Sequence, residues 1–175
     1  MWLRRVIGIA LLSLVVVTVL LFGSVPIGAQ QPVAPPPPQI PYGAPINLEQ
    51  AKKVMAGAEA EATKNKWNMV IAVLDSGGHV VMLHRLDGTQ LGSIDAAKDK
   101  AYSAVLYRRP TKVFQDLVGQ GGPNLRLLKL SGASPLEGGI PLMVDGKIIG
   151  AVGVSGATSE QDAQVAKAGA DALTK

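Results

Sequence analysis

The chain runs to 175 residues without a cysteine and carries 17 Lys and Arg against 13 Asp and Glu. Disulfide staples, thiolate chemistry and a lipid-modified N-terminal cysteine are therefore excluded. Two of the basic residues, Arg4 and Arg5, belong to an N-terminal leader; without them 15 basic side chains face 13 acidic ones and no basic run is left, which speaks against a nucleic-acid partner.

The leader begins Met1-Trp-Leu-Arg-Arg5, continues through seventeen uncharged, mostly apolar residues from Val6 to Phe22, and turns small and polar before Ile27-Gly-Ala-Gln30. That is the layout of a signal peptide, with cleavage expected near Ala29. The run is slightly long for a cleaved segment and slightly short for a spanning helix, so an uncleaved N-terminal anchor is the alternative, and only in that case is a membrane involved. Residues 30–45, with Pro35-Pro-Pro-Pro38 at their centre, read as an extended proline-rich tether. The sequence thus divides into a leader (1–29), a tether (30–45) and a folded domain (46–175), placing an exported protein in the periplasm or outside the cell.

Asn47-Leu-Glu-Gln50 is a variant capping box, and Leu48, Ala51, Val54, Met55, Ala58 and Ala62 follow at helical spacing, which predicts a helix to about Lys64. Met69–Leu74 and Val80–Leu83 read as two central strands joined as a hairpin through Asp75-Ser-Gly-Gly-His79, with Asp75 tightening the turn. Ser93 is placed to cap a helix whose Ile94, Ala97, Ala101, Ala104 and Val105 form one apolar stripe. Pro110 forces a corner, and Thr111 can cap a short helix carrying Val113, Phe114 and Leu117. Residues 119–139 are punctuated by Gly and Pro and show no clear element. Ile140–Val144 and Lys147–Val154 form a second hairpin, because Asp145-Gly146 suits a type I′ turn. Thr158-Ser-Glu-Gln161 opens a last helix. Two antiparallel hairpins with flanking helices predict an α+β fold rather than a doubly wound parallel sheet.

Gly150-Ala-Val-Gly-Val-Ser-Gly156 has glycines three apart, which matches neither the dinucleotide fingerprint nor the P-loop. Alternation would put Ile149, Ala151, Gly153 and Ser155 on one face of a strand. The glycines then either let another element pack closely or let a ligand approach the backbone. Amides from Gly156 to Ser159, at a helix N-terminus, could receive a carboxylate.

The ordered series Val73-Leu-Asp-Ser-Gly-Gly-His79, Arg85-Leu-Asp-Gly88, Lys100-Ala101, Arg109-Pro-Thr111, Gly138-Gly-Ile-Pro141, Asp145-Gly146, Gly150–Gly156 and Gln161-Asp162 resembles the GlcG/HbpS-like proteins. That family includes haem-binding exported members and a domain appended to some corrinoid adenosyltransferases. The resemblance spans Asn47 to Leu173 and implies an antiparallel sheet wrapped by helices, homo-oligomers and, in several members, bound haem. It implies no single activity and no fixed iron ligand.

Haem needs an apolar slot, an axial donor and cations for two propionates. Thr111 lies at the corner where a hydroxyl can stand near a tetrapyrrole, although capping and ligation compete for its one oxygen. His84 is the second iron-ligand candidate, set against a hydrogen-bonded role at a strand end; His79 reads as a solvated turn residue. Tyr102 and Tyr107 offer phenols or simply pack at the surface, and Arg108 and Arg109 can pair propionates or simply suit a helix C-terminus. Gly153, Ser155 and Gly156 complete the candidate binding set. No nucleophile elbow or metalloprotease motif organises the remaining Ser, Asp and His side chains. The reading is an oligomeric protein that binds haem or a related small molecule, for haem handling or redox sensing. A small enzyme that acts on an organic acid or degrades haem is the alternative, and an assembly module without ligand the third.

Overall fold

The computed structural model describes residues 39–174. The expected leader and residues 30–38 of the expected tether lie outside the described residues.

Asn47 starts the first helix, α1 (Leu48–Asn65), through the expected reciprocal box: its side chain accepts from the Gln50 amide at 2.9 Å, and the Gln50 side chain accepts from the Asn47 amide at 3.1 Å. The chain then forms β1 (Val70–Asp75), β2 (Val80–Arg85), α2 (Ser93–Tyr107), α3 (Lys112–Gly119), a 3-10 helix (Gly122–Lys129), β3 (Gly139–Val144), β4 (Lys147–Ser155) and α4 (Ser159–Ala172). The 3-10 helix occupies part of the stretch that shows no clear element in the sequence. Both hairpins form, and β1 and β4 pair at the centre, giving an antiparallel sheet of order β2-β1-β4-β3; β2 is therefore a half-exposed edge strand, not the second central strand its apolar run suggests. Asp145 and Gly146 both take positive φ, 49° and 72°, as a type I′ turn requires.

Each face of the sheet is covered. Val54, Met55, Ala58 and Ala62 of α1, with Val165 and Ala166 of α4, pack on Met69, Ile71, Val73, Val152 and Val154. Ala97, Ala101, Ala104 and Val105 of α2 pack on Val70, Ala72, Leu74 and Ala151. The α2 stripe is mostly alanine, so that helix lies almost directly on the backbone of the sheet.

Simple alternation fails at two bulges. Val80 pairs with Leu74 and Met82 with Val73, so Val81 is an extra residue in β2; Leu142 pairs with Gly150 and Met143 with Ile148, so Ile149 is extra in β4. An inserted residue re-aims everything beyond it. His84 therefore does not share the face of Val80, and Ile149 joins the α1/α4 cluster while Ala151 joins that of α2.

Beyond the end of β1, the start of β4 is met by a segment that the sequence alone places in the tether. The Ile148 amide donates to the Pro41 carbonyl at 2.9 Å, the Gly43 amide to the Ile148 carbonyl at 2.8 Å, and the Tyr42 hydroxyl to the Val105 carbonyl at 2.8 Å. The Arg108 guanidinium stacks 4.4 Å from the Tyr42 ring centroid and donates to the Ile40 carbonyl at 3.2 Å. A protein starting at Ile46 is therefore expected to melt roughly 5–10 °C below one starting at residue 39, since several hydrogen bonds of about 1 kcal/mol each are lost. Equal midpoints in a thermal scan would show that these contacts contribute nothing.

Candidate functional site

The corner between α2 and α3 gathers four of the nominated residues. Arg108 caps α2 in the left-handed region, φ 53°, which turns the chain toward Pro110. The Tyr107 hydroxyl donates to the Ser131 carbonyl at 2.6 Å, and its ring meets Phe114 edge-on with centroids 5.1 Å apart. Arg109 donates from Nε to the Tyr107 carbonyl at 2.9 Å and holds its guanidinium 5.8 Å from the Phe114 ring centroid. Arg109 is exposed, whereas Arg108 is already engaged by Ile40 and Tyr42. The two arginines are therefore not equivalent: Arg109 is the one that can meet an incoming anion without releasing the N-terminal segment.

Thr111 does not cap α3. Its backbone is helical, φ −64° and ψ −20°, and its side chain makes no cap bond. The amides of Phe114 and Gln115 go to the Thr111 carbonyl instead. Its hydroxyl is wholly buried and accepts from the Gly139 amide at 2.9 Å, while the Thr111 amide donates to the Gly139 carbonyl at 3.0 Å. This two-way clasp fixes the corner to the head of β3, leaving the oxygen one further lone pair and its proton. Ser93 departs from expectation in the same way: Gly92 takes the cap position with no side-chain bond, and the buried Ser93 hydroxyl accepts from Gln90 Nε2 at 3.2 Å.

His84 does not join the corner. It lies on the edge strand β2 with Nδ1 2.6 Å from Glu59 Oε1 of α1. Thr111 is bound to β3 at the opposite edge, about three strand spacings or roughly 14 Å away. His79 stays in its turn, where Asp75 Oδ1 accepts from the amides of Gly77 and His79 at 2.8 and 2.9 Å.

The glycine-rich strand is packed against protein. A Cβ on Gly153 would collide with the Ala97 carbonyl oxygen and would lie 2.5 Å from the Ala101 amide nitrogen. One on Gly150 would meet the Leu74 carbonyl, and one on Gly156 the Asn68 carbonyl. Ser155 is buried with its hydroxyl 3.4 Å from that of Ser93. The helix N-terminus after Gly156 does receive a carboxylate, and it is the protein's own: Asp162 Oδ1 accepts from the Ala157 amide at 3.1 Å.

The partner of that carboxylate is Lys100, which no local motif marks as functional. Lys100 Nζ lies 2.7 Å from Asp162 Oδ2 and 3.0 Å from the Val154 carbonyl, and the two side chains are 2% and 3% exposed. Burial pushes the Asp162 carboxyl up from the ordinary range, against the pull of the Lys100 ammonium and the Ala157 amide. A signal was present: Lys100 stands three residues after Ala97 and four before Ala104, inside the apolar stripe. Asp162 likewise shares a stripe with Val165, Ala166 and Gly169. Opposite charges on two buried stripes must find each other or go unpaired.

Around the corner lies exposed apolar surface. Tyr102 and Leu106 of α2 border the loop at Gly132, Leu130 precedes that loop, and Leu125 and Leu128 project from a 3-10 helix with no buried residue. The Tyr102 ring is gripped by its edges: a Cβ on Gly78 would lie 2.7 Å from one and a Cβ on Gly132 2.8 Å from the other. Asp99, one turn earlier, lines a cavity of about 470 Å³ with Gly132-Ala-Ser-Pro-Leu136.

Residues 46–171 match the family model described as haem degrading protein HbpS-like. The chain belongs to the HbpS-like family. The protein GlcG of Escherichia coli K12 is 44% identical over 110 residues, covering 63% of this chain and 81% of GlcG. The ORFY protein of Klebsiella pneumoniae superposes with a TM-score of 0.71 at 29% identity, over 81% of this chain and 98% of that one. The PduOC domain solved as a haem complex superposes with a TM-score of 0.67 at 25% identity, over 74% of this chain and 95% of that one. The α+β sheet of two hairpins is thus the HbpS-like architecture.

Proposed function

We propose that this HbpS-like domain binds haem at the Tyr107–Thr111 corner. The observation that carries the reading is the juxtaposition of an exposed cation, Arg109, with an aromatic pair, Tyr107 and Phe114, beside the uncovered Leu106 and Leu130. A flat apolar ring with carboxylate arms matches that combination. Arg109 would hold a propionate, Leu106 and Leu130 would supply the apolar wall, the Tyr107 oxygen is the axial donor at the surface of the corner, and the Thr111 hydroxyl, buried beside Gly139, becomes one when the corner opens around the ring. Bound haem supplies a redox-active iron, which is the basis for a role in haem handling or redox sensing. The family description and the haem complex of a structural relative support the same ligand. Degradation of the bound haem is the alternative, supported by that family description.

The remaining apolar surface on the 3-10 helix fits a homo-oligomer, and the leader fits export to the periplasm or beyond. Mass spectrometry and absorbance on protein purified from its own cell envelope test all of this together: a subunit starting near Gln30, an oligomer mass and a Soret band are expected. Intact leader mass, a monomer or a bound metabolite without a Soret band would each remove the corresponding part.

In titrations, Arg109→Ala is expected to weaken haem about tenfold, the worth of one charge-assisted hydrogen bond. Thr111→Val is expected to shift the Soret band, because it deletes a donor oxygen while keeping the shape of the side chain. His84→Ala should leave binding unchanged. Normal binding by the Arg109 and Thr111 variants, with loss in His84→Ala, would move the site to the opposite edge of the sheet.

A further inference from the structure

The buried ion pair sits in a tight knot with the corner. Lys100 Nζ reaches Asp162 and the Val154 carbonyl, and the Val154 amide in turn donates to the Gly138 carbonyl at 2.9 Å. Gly138 has φ 121°, and a Cβ there would lie 3.1 Å from Lys100 Nζ and 3.0 Å from Asp162 Cβ. The next residue, Gly139, packs on the Lys100 carbonyl and exchanges both of its backbone hydrogen bonds with Thr111. Every link from the ion pair to the Thr111 hydroxyl is thus a direct contact, and none passes through a flexible side chain at the surface.

A buried pair of this kind contributes little net stability compared with apolar side chains of the same volume. Its hydrogen bonds are directional, with an ammonium on two acceptors at 2.7 and 3.0 Å, whereas apolar contacts are not. We propose that Lys100 and Asp162 are positioning residues for the binding corner, holding Gly138-Gly139 so that the Gly139 amide aims the Thr111 hydroxyl. The inference rests on the reading of the corner as the haem site, but its structural half can be measured without haem.

Lys100→Met alone strands a buried carboxylate and is a poor probe if it fails to fold. Lys100→Met with Asp162→Asn removes both charges while the Asn amide oxygen still accepts from Ala157. In that folded double variant the Gly139 amide is expected to exchange with solvent at least tenfold faster than in the wild type, with the β1 amides unchanged. The haem complex is expected to show a shifted Soret band and at least tenfold weaker binding. Wild-type Gly139 exchange in the double variant overturns the proposal, whatever happens to haem. Faster Gly139 exchange with unaltered affinity and Soret band overturns it as well, because the corner would then tolerate the loss of its support. If the wild-type protein takes up no haem at all, the haem reading fails by itself, and Gly139 exchange still decides whether the pair positions Thr111.

Discussion

Gly153→Val is expected to cost about 3 kcal/mol or more, at or above the usual range for overpacking and a large share of a small domain's total stability. Overpacking is often relieved because a side chain can swing aside. Here the first added carbon meets the Ala97 carbonyl oxygen and the Ala101 amide nitrogen, both backbone atoms of α2. Relief then requires lifting a helix whose alanine stripe touches Val70, Ala72, Leu74 and Ala151 along its length. Gly153→Ala should already be destabilising for the same reason. Gly92→Ala is the matched control, since its Cβ would point into open space and its φ is an ordinary −61°. Denaturation midpoints measure all three. A Gly153→Val protein within about 0.5 kcal/mol of wild type would show that α2 does not rest on β4 at this point.

Local chemistry was legible in the sequence wherever a residue answers to its chain neighbours. The boxes at Asn47/Gln50 and Thr158/Gln161, the Asp145-Gly146 turn and the Asp75 turn all involve partners within five positions. The buried strand β1 was legible because Val70–Leu74 leaves no polar face, whereas the equally apolar Val80–Leu83 hid the fact that β2 is an edge strand. Ser93 and Thr111 defeat the same logic because their hydroxyls are buried and face partners distant in sequence, Ser155 for the one and Gly139 for the other, instead of capping the local amides. The bulges at Val81 and Ile149 leave no mark on composition, so face assignments drawn from alternation alone fail beyond them. Of the candidate site, Tyr107, Arg109 and Thr111 share one corner because they are near in sequence. The role of Lys100 depends on a partner 62 positions away. The conflict between its charge and its apolar stripe is the physical signal that points to that role.

That conflict sets the last expected result. Lys100→Met should destabilise the protein by about 3–5 kcal/mol at neutral pH, because Asp162 is left as a buried anion facing only the backbone amides of Gly156 and Ala157. The Lys100→Met, Asp162→Asn double variant should recover most of that loss, so a double-mutant cycle should show strong coupling. The pH dependence has a definite sign. Burial already raises the Asp162 carboxyl, and removing the ammonium takes away the strongest opposing influence. In the single variant its folded pKa therefore stands further above the unfolded value, the folded state binds the extra proton, and stability rises as pH falls through that range. The gap between single and double variants should narrow from neutral to mildly acidic pH, since a protonated Asp162 is no longer a buried charge. Unfolding free energies of both variants at the two pH values provide the check. A gap that stays constant with pH would mean that the carboxylate of the single variant has found water or another cation, and that the pair does not lie as deeply enclosed as its 2% and 3% exposure implies.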